Sequence, residues 1–208
     1  MTTKIIAPAA LAAAIAAALA GVPAQAQQAG DFTLGLGLGY VAPKDGNGTL
    51  AGLSADVDDD IRPTITFEYF IRDNLGIEVL AATPFEHDVK LDGLGRVGSV
   101  QHLPPVVSIQ YHFDATPVLK PFVGVGLNYT IFFEEETRGA LAGTKLKLED
   151  SVGLALHAGF DAKVSDRGAV RADIRWMDID SEVKLDGTKI GTAKIDPVVM
   201  GVSYVHRF

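Results

Sequence analysis

An eight-stranded antiparallel up-and-down transmembrane β-barrel is the all-β fold that this sequence predicts, and three observations predict it. Eight runs alternate with a period of two, the spacing that sends successive side chains to opposite faces of a strand. One face of every run is apolar and bounded by aromatic residues, while the other is small, polar or charged. The connections alternate between short turns and long charged loops, as in an up-and-down membrane barrel.

The first run, Asp31 to Val41, sets Phe32, Leu34, Leu36, Leu38 and Tyr40 against Thr33, Gly35, Gly37 and Gly39. Ile61–Arg72 turns Ile65, Phe67 and Tyr69 outward and Thr66, Glu68 and Phe70 inward. Leu75–Thr83 follows with Ile77 and Val79 out and Glu78 and Leu80 in, and Leu103–Phe113 with Val107, Ile109 and Tyr111 out and Val106, Ser108, Gln110 and His112 in. Lys120–Phe133 is the cleanest, with Val123, Val125, Leu127 and Tyr129 opposite Phe122, Gly124, Gly126 and Asn128. In Ser151–Lys163, Leu154 and Leu156 alternate with His157 and Asp161, and in Val170–Met177, Ile174 and Trp176 with Arg171, Asp173 and Arg175. The last run places Met200, Val202, Tyr204, His206 and Phe208 on one face. Tyr204 and the terminal Phe208 mark it as the strand that closes the barrel, its aromatic end lying in an interfacial girdle.

The short connections are Arg72–Asn74, Asp114–Leu119 and Ser165–Arg167; the long ones are Pro43–Asp60, Pro84–Gln101, Glu134–Lys147 and Ser181–Ala193. Three turns and four loops put both ends of the chain on one side, expected to be the periplasm. An even strand count lets the sheet close and removes its edges. A soluble eight-stranded barrel also alternates, but it keeps its apolar face inside and its polar face wet. Here the continuous apolar face fits hydrocarbon, so outer-membrane lipid is the expected surrounding.

At the N-terminus, Lys4 precedes an uncharged Ala/Leu/Ile run, Pro23 breaks that run, and Ala24-Gln25-Ala26 follows as an A-x-A cleavage pattern. Residues 1–26 therefore read as a cleaved secretory signal peptide and residues 27–208 as the barrel. The formal charge of −8 argues against nucleic acid as a partner, which demands clustered cations. The absence of Cys excludes disulfides and thiolate metal sites. Export without disulfides suits the outer membrane of a Gram-negative cell. After the signal, the longest uncharged stretch, Val97–Phe113, contains two Pro, two Gln and two His, so no spanning helix is expected.

Eight strands enclose room for side chains or one slender ligand. The inward charges read as an ion-pair network plugging the barrel, or as a polar base beneath a narrow apolar passage. The candidate lining residues are Phe70, Leu80, Val106, Phe122, Phe132 and Arg175. Pro84, Pro104 and Pro105 fall at one end of a single seam, where each removes a ladder donor. They read either as the rim where pairing stops or as a lateral opening toward lipid. Asp56, Asp58, Asp59 and Asp60, and separately Glu134–Glu136, are acidic runs on outer loops that read as solvated charges or as carboxylates holding divalent cations shared with lipid head groups; the first lacks the Gly and distal Glu of an EF-hand. His87, His102 and His206 lack metal-ligand spacing. No metal or other cofactor is expected, and no nucleophile or phosphate motif appears.

Asp73–Glu78 with Leu80–Phe85, His102-Leu103-Pro104-Pro105, Pro121–Thr130, Phe132-Phe133, Met177–Asp180, Asp196-Pro197 and the final Arg207-Phe208 together resemble the OmpW family of small outer-membrane proteins. The resemblance covers nearly the whole of residues 27–208. It implies a barrel with a largely hydrophobic lumen that admits small hydrophobic molecules, without catalytic residues. Where the family often has an inward aromatic, two residues before the Met-Asp-Ile-Asp run, this chain has Arg175, expected to pair with Glu68 or Asp173. The resulting expectation is a non-enzymatic, porin-like channel that passes or binds small hydrophobic molecules. The alternative is a closed structural or adhesive barrel working through its extracellular loops. Phe208 is expected to engage the outer-membrane assembly machinery.

Overall fold

The computed structural model describes residues 27–208; the signal-peptide reading of residues 1–26 lies outside the described residues. Fifteen strands form in chain order: β1 (Phe32–Ala42), β2 (Gly48–Leu50), β3 (Leu53–Val57), β4 (Asp60–Arg72) and β5 (Leu75–Ala82). There follow β6 (Phe85–Leu91), β7 (Gly95–Leu103), β8 (Val106–His112), β9 (Leu119–Thr137) and β10 (Leu146–Leu148). The last are β11 (Ser151–Lys163), β12 (Gly168–Met177), β13 (Asp180–Leu185), β14 (Thr188–Lys194) and β15 (Val198–Arg207).

Eight of these close a ring. β1 pairs with β15 and β4, and the ring continues through β5, β8, β9, β11 and β12 back to β15, antiparallel throughout. Closure leaves the ring no free edge, so its backbone donors and acceptors are satisfied within the wall, the condition for standing in hydrocarbon. Leu36, Leu127, Val152 and Val202 are each about 60–70% exposed on the outside, among a continuous belt of large apolar side chains. That outward apolar belt excludes the soluble-barrel alternative. Phe208 joins the closure: its N–H donates to the Phe32 carbonyl at 3.0 Å, and the two rings stack 4.9 Å apart.

The long connections differ from the loops expected. They carry β2, β3, β6, β7, β10, β13 and β14, which pair in the order β10-β13-β14-β2-β3-β6-β7 and end on the upper part of β9. A second storey of wall thus stands on the long-loop end of the ring. The signal for it lay in short period-two segments such as Phe85, His87, Val89 and Leu91, all buried and alternating with Glu86, Asp88 and Lys90. β9, at 19 residues, serves both storeys. A bulge near Glu134 (φ 51°) lets it bend between them. Between β9 and β10 no ladder forms among the described residues. Side chains tie that join instead: the Thr137 hydroxyl donates to the Thr144 carbonyl (2.9 Å), and Glu135 Oε1 accepts from the Leu148 N–H (3.3 Å) and from Lys147 Nζ (3.2 Å).

The interior of the lower ring is shaped by what its glycines leave out. A Cβ on Gly76 would stand 2.3 Å from Glu68 Oε1, and one on Gly124 would stand 2.1 Å from His157 Nε2. Both positions hold inward polar groups tightly against the wall. Gly76→Ala is therefore expected to destabilise the barrel by about 1–3 kcal/mol through overpacking. A lowered midpoint in urea unfolding from detergent would report it, and an unchanged midpoint would show that the Glu68 side chain moves freely.

Candidate functional site

The lumen is divided into two chemically opposite halves. In the lower ring, β4 and β5 present Glu68 and Glu78, β8 presents Gln110 and His112, and β11 and β12 present His157, Asp161, Arg171 and Arg175, all of them buried. Arg171 is the hub. Its Nε and Nη2 donate to the two carboxylate oxygens of Asp161 at 2.7 and 3.0 Å, the bidentate fork that a planar guanidinium favours. Its Nη1 crosses the lumen to Glu78 at 2.8 Å, and Nη2 also reaches Glu68 at 3.3 Å. The guanidinium lies 4.5 Å above the Phe122 ring, a cation–π contact.

Arg175 donates to Glu78 at 2.6 Å and lies 3.4 Å from the Ser108 hydroxyl. This corrects the expected pairing with Glu68 or Asp173. Glu78 faces Arg175 across the lumen, whereas Glu68 is taken by His112 Nε2 (2.8 Å), by the Gln110 amide (3.1 Å) and by Arg171. His157 Nε2 in turn donates to Gln110 Oε1 at 2.7 Å. Five strands are cross-linked into one polar floor, the plug that the residue pattern allowed.

Above the floor the interior turns apolar. Val106, Phe132, Val41, Val199, Met177 and Ile179 continue upward into Leu50, Val89, Val100, Leu148, Val183 and Ile195 as one cluster, with Leu80 and Ala82 packed against it. A cavity in the upper storey retains about 20 Å³, little more than one water molecule needs. Of the six candidate lining residues, Leu80, Val106 and Phe132 border this apolar chamber. Phe70 and Phe122 belong to the floor, 5.3 and 5.4 Å from the His112 ring, as does Arg175. All six point inward, but into two environments.

The three prolines mark where the storeys meet. The β5–β8 ladder ends at Leu80↔Val106, and the same two chain segments pair again only at Phe85↔His102, as β6 and β7. Between these rungs lie Thr83, Pro84, Pro104 and Pro105. Thr83 N–H donates away from the seam to Pro63, and the Pro105 carbonyl accepts from Tyr129 on the far side. The gap is therefore an interruption within a taller wall. It is not a rim.

Two histidines that sequence reasoning set aside line the chamber. His87 on β6 and His102 on β7 stack at 4.9 Å and 18°, continuous with Phe85 and Phe132. His87 Nδ1 meets the Asp58 carbonyl, while His87 Nε2 and both nitrogens of His102 have no partner in the protein. Burial, with His87 adding to it and Asp60 opposing, holds the His102 imidazole down at about 3. The acidic loop runs expected to be solvated are largely ion-paired, Asp58 to Lys90, Asp60 to Arg62, Glu135 to Lys147 and Glu136 to Arg138. Asp178, Asp180 and Asp196 gather carboxylate oxygens within 4.8 Å of one another, but Lys194 holds Asp180 and Lys44 holds Asp196.

A closed ring with lipid-facing apolar rows, a plugged base and a second storey of loop-borne strands defines an integral outer-membrane β-barrel of the small, eight-stranded class. The OmpW family model matches residues 28–208, and the chain belongs to that family. It is 35% identical over 211 residues to Outer membrane protein W of Vibrio cholerae, covering 94% of this chain and 96% of that protein. The crystal structure of the outer membrane protein OprG from Pseudomonas aeruginosa superposes with a TM-score of 0.78 at 32% identity, covering 89% of this chain and 99% of that one. A more distant relative, 26% identical over 76% of each chain, is the Dibenzothiophene metabolism operon protein PahQ of Pseudomonas aeruginosa. Fold and family together make this a Gram-negative outer-membrane protein.

Arg171→Leu leaves Glu68 and Asp161 buried without their guanidinium and is expected to cost about 3–5 kcal/mol, read as a lowered melting temperature. A melting temperature within a degree of the original would show that the floor is held by packing alone. The His102 prediction concerns pH. The unfolded chain takes up a proton near the ordinary 6.5, whereas the folded ring resists until about 3. Stability from this group is thus complete above pH 6.5 and lost as pH falls toward 3. Between pH 7 and 4 the melting temperature should fall less for His102→Phe than for the unmodified chain; parallel curves would remove His102 as a cause.

Proposed function

We propose that this chain is a passive outer-membrane conduit for small hydrophobic molecules, with its long-loop storey outside and both chain ends in the periplasm. A solute enters the apolar chamber and leaves sideways through the interrupted β5–β8 seam into the bilayer. The single observation that carries this reading is the division of the lumen, with an apolar chamber standing on an ion-paired floor and a ladder gap at the level where they meet.

The energetics favour a sideways path. Passing straight down would separate buried ion pairs and leave charges uncompensated, at a cost of several kcal/mol, and an apolar solute offers them nothing in return. The gap at Pro84, Pro104 and Pro105 has few ladder bonds to break, and hydrocarbon lies beyond it. Transfer from water through an apolar lining into lipid runs downhill at every stage, so no energy coupling is needed. The name of the relative PahQ, which refers to the metabolism of dibenzothiophene, a flat apolar heterocycle, agrees with this class of solute. In the same reading no chemistry is done on the solute, outer-membrane lipid is the surrounding partner, and Phe208 serves recognition by the assembly machinery.

Vesicles bearing lipopolysaccharide, with and without the protein, provide the test. The protein is expected to speed uptake of toluene severalfold while leaving glycerol, a small polar solute, unchanged. The chain has no Cys, so Thr83→Cys with Pro105→Cys gives a clean pair for a short thiol cross-linker across the gap. Cross-linking should abolish the toluene effect. Uptake that persists after cross-linking would refute the lateral path, and negligible effects on both solutes would favour a closed barrel that works through its loops.

A further inference from the structure

Two kinds of polar side chain line the apolar chamber: Asn47, whose amide is met by the Lys194 carbonyl and the Val57 N–H, and the His87–His102 pair, whose unmet hydrogen-bonding needs can be counted. The Asp58 carbonyl can only accept, so His87 Nδ1 carries the proton that it meets, and His87 Nε2 is left as a bare acceptor. His102, 1% exposed and without a partner at either nitrogen, offers one N–H donor and one further acceptor. The two rings lie face to face, so neither can satisfy the other in its own plane. Leaving such groups unpaired in an apolar interior is costly. Their nearest charges, Asp58, Asp60 and Arg62, belong to the wall, where Asp58 and Asp60 already pair with Lys90 and Arg62.

We propose that His87 and His102 form a polar anchor for an apolar ligand carrying a single hydroxyl group, an alcohol or a phenol. This rests on the conduit reading above and narrows its solute class. The choice of hydroxyl follows from the count. A hydroxyl donates once, to His87 Nε2 or to the bare nitrogen of His102, and accepts once, from the His102 N–H. A ketone or ether only accepts and leaves both bare nitrogens unmet. A carboxylate also only accepts and would bring a charge into the chamber, and an ammonium brings a charge and only donates. The cavity beside the rings, about 20 Å³, has room for one hydroxyl oxygen. The rest of the ligand takes space from Leu50, Val89, Val100 and Leu148, which line that cavity; Leu148 stands at the join between β9 and β10, where no ladder forms among the described residues.

Phenol and toluene separate the two ideas, because they share shape and differ in hydroxyl against methyl. Binding of each is measured in vesicles holding the full chain, with partitioning into protein-free vesicles subtracted. His102→Phe should weaken phenol about tenfold, the worth of one or two hydrogen bonds, and leave toluene unchanged or tighter. His102→Gln, which keeps a donor and an acceptor, should restore most of the phenol affinity; it also serves as the working variant if His102→Phe does not fold. Equal effects on phenol and toluene, or none on either, would overturn the anchor while leaving the conduit intact. Absence of toluene binding by the unmodified chain would instead overturn the conduit.

Discussion

Everything in this structure depends on one constraint: within hydrocarbon, each backbone N–H and C=O must find its partner inside the protein. Eight antiparallel strands meet that demand only by closing, and closure fixes the rest. It makes the pleat a division between lipid and lumen, so that Leu36 and Gly37, or Leu127 and Asn128, must differ in kind. It also limits the lumen to a width that side chains fill. The β5–β8 ladder is broken at the level where ring and upper storey meet, and there Pro84, Pro104 and Pro105 stand.

Within that frame the lumen is built from two incompatible interiors. A buried guanidinium such as Arg171 is tolerable only because Asp161, Glu68 and Glu78 converge on it from three strands. Glu68 in turn requires the wall to give way at Gly76, and His157, bonded to Gln110 in the same floor, requires it at Gly124. The same arrangement would be ruinous in the upper storey, where Val89, Val100, Leu148 and Ile195 supply no partner for a charge. The boundary between the halves is therefore sharp. Arg175, where an aromatic was expected from the family pattern, gives Glu78 a second guanidinium and carries the floor to Ser108.

The upper storey explains why the loops matter mechanically. Strands β2, β3, β6, β7, β10, β13 and β14 continue the barrel beyond the apolar belt, where water is available and closure is no longer compulsory. The wall there is correspondingly incomplete between β9 and β10. A tall apolar chamber with a loosely tied join above, a fixed floor below and an interrupted ladder at its foot has two places to yield, and both border the same apolar lining.

The sequence by itself determined the ring: the eight alternating runs, their inward and outward residues, the short turns and the closing role of Tyr204 and Phe208 all follow from a period of two and a hydrocarbon surrounding. It also gave the inward direction of Phe70, Leu80, Val106, Phe122, Phe132 and Arg175. Tertiary structure decided what those directions meant. Which acid pairs with Arg175 depends on stagger around the ring, since Glu78 lies across the lumen and far along the chain, and periodicity carries no information about partners on opposite walls. The second storey escaped because strands of three to nine residues among Gly and Asp look like loops until their neighbours are in place. His87 and His102 gained their significance in the same way, for two isolated imidazoles become a stacked pair only when β6 and β7 bring them together inside an apolar wall.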